Sequence, residues 1–307
     1  MKFFVSCLAL CFIIYTDASA AKLRPIEDPP ADYEHNKWGV MPEDVIRQFH
    51  GFIVSFDGKD DDNGDGNADI LRVPEWVAHH VKIWPSSKGN CIPTGKRPRP
   101  WFTDQDLKSS GVAPTDNSYR RSGYDRGHMA AKLLIERLGN DAAWNTHTVL
   151  NAIPQHSRFN QQIWRALEDL TGAWAQVYED IWLIQGPIFD QKVPIAWIGD
   201  KKSEEVAIPV AAFKIVIRER TPADGSGEGP MVLAFLMPQL GPGYYGKKSD
   251  FRLERFLTSV DEIEKLTNLT FLTTRPDNET KPLKKKRAEA LWPVPDKVHF
   301  LTGCKKD

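Results

Sequence analysis

The chain has 307 residues, with 40 Lys+Arg against 41 Asp+Glu, 41% hydrophobic residues and 26% charged ones. This ordinary globular composition excludes a disordered tail, a collagen and a polytopic membrane protein, and leaves room for one large domain or two small ones. A formal net charge of −1 argues, as a sum, against a nucleic-acid partner.

In chain order, residues 1–20 read as a signal peptide. Lys2 precedes an apolar run over 3–15, and Ala18-Ser19-Ala20 places small residues at −3 and −1 of a cut before Ala21. The apolar run is short for a membrane span, so no membrane anchor is expected after cleavage, and the expected location is secreted, extracellular or periplasmic. Cleavage removes Cys7 and Cys11 and leaves Cys91 and Cys304. In an oxidising compartment a disulfide between them is the economical expectation, with two free thiols as the alternative.

Residues 21–50 are rich in Pro and charge without a clear period, and read as a surface segment. From Gly51 onward, β-favouring runs occur over 52–56, 76–84, 148–153, 181–188, 206–218 and 231–237. The Gly- and Pro-rich stretch 221–230 reads as a hairpin loop between the last two. One segment is strongly helical: Phe159, Ile163, Ala166, Leu167, Leu170, Ala173, Trp174 and Val177 recur at spacings of three and four. A second helix is expected from Ser259, which has capping-box spacing to Glu262. The main domain is expected over 51–280, followed by a basic tail over 281–307.

Three segments place polar residues where patterning does not require them. Tyr124-Asp125-Arg126-Gly127-His128-Met129-Ala130 puts an acid, a guanidinium and an imidazole close together, and Asn151-Ala152-Ile153-Pro154-Gln155 carries an amide at each end. Asn160 and Glu168 lie eight residues apart, which on an α-helix is about 80° around and roughly two turns along. A divalent ion or water held by Asn160 is then within reach of the Glu168 carboxylate. Trp164, between them, reads as packing beneath that row.

The order DRGH, NAIPQ, NQQIWRALE resembles the DNA/RNA non-specific endonucleases of the Serratia nuclease and endonuclease G type, over about 51–272. The resemblance implies an α+β chain with the ββα-metal nuclease fold, central antiparallel sheet layers and a long active-site helix. It also implies a metal-dependent phosphodiester hydrolase that cuts DNA and RNA and leaves 5′-phosphate ends. His128 matches the general base, a task a neutral imidazole performs near pH 7. Asn160 matches the direct protein ligand of Mg²⁺, for which Mn²⁺ is an expected substitute. Glu168 matches a carboxylate that holds water of the metal shell. Arg126 and Arg99 match guanidinium groups that pair with phosphate, and Asp125 and Asn151 match residues that orient the site. The resemblance sets no oligomeric state.

The remaining histidines, His35, His50, His79, His80, His147, His156 and His299, have no chemical partner in their local sequence and read as structural or surface residues. An acidic stretch departs from the family pattern. Asp61, Asn63, Asp65, Asn67 and Asp69, with Gly66, reproduce the first part of a calcium loop, but Arg72 stands where the bidentate Glu belongs. A structural Ca²⁺ and a solvated acidic turn are both open readings. Two other functions compete with catalysis: an inactive nucleic-acid-binding module, against which the intact polar set speaks, and a calcium-binding extracellular module, which leaves the DRGH segment unexplained.

The near-zero net charge divides unevenly along the chain. Residues 27–75 hold thirteen acids and four bases, whereas residues 88–137, with Arg99 and the DRGH segment, hold ten bases and five acids. A polyanion meets the local field rather than the sum, so near-neutrality does not exclude a nucleic-acid substrate.

Overall fold

Five of the six β-favouring runs of the sequence contribute strands to one antiparallel sheet, and the run over 148–153 pairs elsewhere. In the computed structural model, residues 23, 29–58, 70–84, 91–92, 95–190, 192, 194–225, 229–239, 252–295 and 301–302 are described. The leader, the acidic stretch Asp61, Asn63, Asp65, Asn67 and Asp69, and Cys304 lie outside the described residues. Strands are β1 (Val40–Met41), β2 (Val45–Phe49), β3 (Phe52–Phe56), β4 (Pro74–Lys82), β5 (Cys91–Ile92), β6 (Asp125–His128), β7 (Ala152–Gln155) and β8 (Asp180–Ile188). They continue as β9 (Ala196–Ile198), β10 (Val206–Ile208), β11 (Ala211–Arg218), β12 (Met231–Pro238), β13 (Leu257–Thr258), β14 (Thr270–Phe271) and β15 (Leu301–Thr302). The α-helices are α1 (Gln105–Ser109), α2 (Lys132–Ile135), α3 (Asn140–Asn145), α4 (Arg165–Tyr178), α5 (Val260–Thr267) and α6 (Asp277–Lys285).

The main sheet has seven strands in the order β13-β12-β11-β8-β4-β3-β2. Side chains alternate across each strand, so the sheet separates two apolar cores. Val77, Leu183, Ala212, Val216 and Phe235 face one core, which includes Phe159, Trp164, Leu167 and Trp174 of the helical segment. Ile184, Phe213, Ile215 and Ile217 face the other, closed by Trp38, Val260, Ile263 and Phe271. The first core carries the site.

Several boundaries differ from the sequence expectation for local physical reasons. The run over 206–218 is two strands, because Pro209 has no N–H to give to a ladder. The run over 148–153 begins as a 3₁₀ turn at Val149–Asn151 before β7. Ordered pairing starts before Gly51: β2 pairs with β3, Val45 opposite Phe56. Its polar Arg47 and Gln48 suit an edge strand but mask its pattern. The segment after residue 280 is not wholly a surface tail, since Trp292 is buried and its ring packs on Trp174 at 5.3 Å. β15 runs parallel to β5, with Leu301 opposite Cys91.

Candidate active site

The long helical segment begins as a π-helix, Phe159–Trp164, and continues without a break as α4. Its apolar stripe docks on the sheet: Phe159, Ile163, Trp164, Leu167 and Trp174 are each at most 1% exposed. Docking that stripe turns Asn160 and Glu168 towards a neighbouring hairpin. The wider turn of a π-helix changes the angle between the two side chains from the α-helical value, a distortion frequent at functional sites.

The hairpin is β6 against β7, with Asp125 opposite Gln155 and His128 opposite Ala152. Gly127 is required here, because a Cβ at that position would overlap the Gln155 side chain. Asn151 holds the chain just beyond His128. Its Oδ1 accepts from Ala130 N–H at 2.7 Å, and its Nδ2 donates to the carbonyls of Ala130 and Thr146, both at 3.0 Å. From below, Gln185 Nε2 of β8 donates to the Met129 carbonyl. His128 therefore sits on a turn tied to both the hairpin and the central sheet.

The imidazole of His128 packs between two rings. The Trp101 ring lies 4.5 Å away and the His147 ring 4.9 Å away, nearly perpendicular. His128 Nε2 is buried and has no hydrogen-bond partner among the described residues. Burial pushes the His128 pKa well below the usual imidazole value, and His147, Arg97 and Lys132 push the same way. The ring is consequently neutral at pH 7. His147, read from sequence as a histidine without a chemical partner, in fact forms the wall behind His128. Burial, helped by Arg97, brings its own pKa down to about 4.

A cleft of about 710 Å³ opens over this turn, lined by His128, Asn160, Glu168 and Asp125 together with the guanidinium groups of Arg97, Arg99, Arg126 and Arg165. Arg126 is steered by Asp116: its Nε lies 2.7 Å from the carboxylate and its Nη2 donates to the Asp116 carbonyl at 2.7 Å. The same carboxylate accepts from the Trp101 backbone N–H at 3.1 Å, so one acid holds both the Arg126 guanidinium and the residue whose ring packs against His128. Asp125 Oδ2 accepts from Asn160 Nδ2 at 3.0 Å and from Gln161 Nε2 at 2.7 Å. That bond leaves Asn160 Oδ1 as the free acceptor of the amide. Burial raises the Glu168 pKa while Lys214 pulls it down.

Among the described residues there is no cluster of three His, Cys, Asp or Glu side chains able to hold a metal. The oxygen of Asn160 and the carboxylate of Glu168 are a sparse donor set, and it fits a cation that keeps most of its water, as Mg²⁺ does. The structure thus brings together His128, Arg126, Arg99, Asn160, Glu168 and Asp125 in one cleft and sets Asn151 beneath it. Sequence reasoning missed Arg97, Arg165, Trp101, His147 and Gln185. Arg97 stands in the same short basic run as Arg99, which was a usable signal.

Guanidinium groups converging beside a neutral imidazole suit a phosphate ester, and a nucleic-acid hydrolase is the class that such a cleft and fold define. Comparison with known proteins gives the family. The sequence profile of the DNA/RNA non-specific endonucleases matches residues 42–278, and the chain belongs to that family. It is 26% identical over 274 residues to the mitochondrial nuclease EXOG of Mus musculus, covering 86% of this chain and 67% of that protein. It is 29% identical to the nuclease of Serratia marcescens, covering 78% of this chain and 80% of that one. It is also 29% identical to the mitochondrial endonuclease G of Bos taurus, covering 83% and 79%. Among solved structures, an EndoG/EndoGI complex matches with a TM-score of 0.62 at 22% identity, over 80% of this chain and 92% of that one, and shares the ββα-metal nuclease fold. These relatives correct one expectation. The mouse and bovine proteins are mitochondrial by name, which overturns the secreted location drawn from the leader.

Proposed function

We propose that the chain is a Mg²⁺-dependent endonuclease that hydrolyses phosphodiester bonds in DNA and RNA with little base preference, Mn²⁺ substituting for Mg²⁺. The observation that carries this reading is the buried Nε2 of a neutral His128, without a hydrogen-bond partner among the described residues, in a cleft lined by arginines. In this reading His128 Nε2 takes the proton of the attacking water. Asn151 and Gln185 fix the turn that aims the ring, and Trp101 and His147 keep it desolvated. Arg126, braced by Asp116, and Arg99 bind non-bridging phosphate oxygens. Asn160 would hold the ion and Glu168 the water of its shell, with Asp125 locking the Asn160 amide so that its oxygen faces outward. When bound, that ion supplies charge to polarise the phosphodiester and to stabilise the departing 3′ oxygen, leaving a 5′-phosphate end.

Two substitutions test the reading on a supercoiled plasmid. His128→Ala is expected to keep its fold by circular dichroism and to lose at least about 10²-fold in nicking rate, the usual contribution of a general base. Undiminished nicking by that variant removes His128 from the chemistry. Asn160→Ala is expected to lose metal-dependent cleavage at unchanged stability. A change in stability alone would instead make Asn160 part of an ordinary helix face.

A further inference from the structure

Three polar side chains, those of His79, Gln185 and Lys214, stand in the middle of the central sheet on the face that meets the active-site helix, His79 opposite Leu183 in register. Gln185 of β8 and Lys214 of β11 are opposite each other in register, and both are 0% exposed. Their neighbours on that face, Leu183, Ala212 and Val216, are apolar and belong to the core of Trp164 and Leu167. Gln185 is accounted for by its bond to the Met129 carbonyl. Lys214 is not accounted for by any hydrogen bond among the described residues. Its Nζ lies 4.4 Å from the centroid of the Trp164 ring. Trp164 precedes Glu168 by four residues on the same helical segment, and the Lys214 and Glu168 charges act on each other, each favouring the ionised form of its partner against burial. A buried ammonium without a hydrogen-bond partner weakens a fold, and a methionine of similar length would pack there more favourably.

We propose that Lys214 is a positioning residue for the nuclease reaction, a cation set under Trp164 that fixes the helical turn from which Glu168 enters the cleft. It touches no substrate and acts through Glu168, so the inference rests on the role proposed above for that residue. The sheet then supports both halves of the site from one register position, Gln185 under the His128 turn and Lys214 under the helix.

The test is a cycle of Lys214→Met, Glu168→Gln and the double variant, each measured for kcat and KM on duplex DNA and for its urea midpoint. Lys214→Met is expected to unfold at the same or a higher urea concentration while kcat falls about tenfold or more and KM stays within about twofold. In the Glu168→Gln background the same substitution is expected to cost nothing further, because its effect is routed through the missing carboxylate. Parental kcat in Lys214→Met overturns the proposal, as do losses that multiply in the double variant. A lowered urea midpoint, or failure of both Lys214→Met and Lys214→Leu to fold, assigns Lys214 to packing and also overturns it. If Glu168→Gln itself keeps full activity, the role of Glu168 fails, and the fault lies with the functional reading rather than with Lys214 alone.

Discussion

Asn151 shows how one buried amide organises the approach to His128 without entering the cleft. It makes three hydrogen bonds to backbone groups around the His128 turn and is fully buried. Asn151→Ala leaves those groups without partners, and is expected to lower unfolding free energy by about 2–3 kcal/mol and to reduce kcat by freeing the turn. Urea denaturation beside steady-state kinetics checks both, and an unchanged kcat would show that the turn holds without it. Gly127 is constrained from the opposite side. Its missing Cβ is the space that the Gln155 side chain crosses, which explains why the DRGH segment has a glycine between its guanidinium and its imidazole. Asp125, Arg126 and His128 were readable in the sequence because they fall within four positions, and Asn160 and Glu168 because they share one helical segment. His147, Gln185 and Lys214 were not, since each reaches the site across the fold and its own neighbours show only an ordinary turn or strand pattern.

At the scale of elements, the helical segment was legible from its three-and-four spacing, and the helix capped by Ser259 from its capping residues, with Ser259 Oγ accepting from Glu262 N–H at 3.2 Å. What the spacing could not show is the π turn. A single extra residue per turn leaves the apolar stripe nearly intact while it rotates Asn160 relative to Glu168. Deleting Gln162 should let the segment relax to a regular α-helix. The deletion variant is expected to keep its far-ultraviolet helical signal but to lose about 10²-fold or more in cleavage rate, since displacements near 1 Å suffice for that. Retained cleavage would mean that the π geometry is incidental. The same register logic hides β2, whose polar outer residues suit a sheet edge and so carry little alternation.

For the whole molecule, the buried histidines set a direction for acid sensitivity. Burial brings His35 and His147 down to about 4 and holds His79 and His128 well below 6.5. Each folded-state pKa is lower than in the unfolded chain, so the unfolded chain binds more protons as pH falls. The stability these groups contribute is complete above about pH 6.5 and is lost progressively towards pH 4, by up to about 3 kcal/mol for each of His35 and His147. Glu168, raised by burial, works in the opposite direction but is a single group. Urea midpoints are therefore expected to fall steadily between pH 7 and pH 4.5. A flat profile over that range would mean that the buried imidazoles can be protonated without cost.

Trp292 draws a boundary that kinship does not. The family match stops at residue 278, yet Trp174 Nε1 donates to the Trp292 carbonyl at 3.0 Å and Tyr178 Oη to the Pro293 carbonyl at 2.9 Å. Arg218 at the end of β11 stacks over both the Tyr178 and Trp292 rings, at 4.1 and 4.7 Å. The back of the helix that carries Glu168 is thus roofed by sequence outside the shared family region.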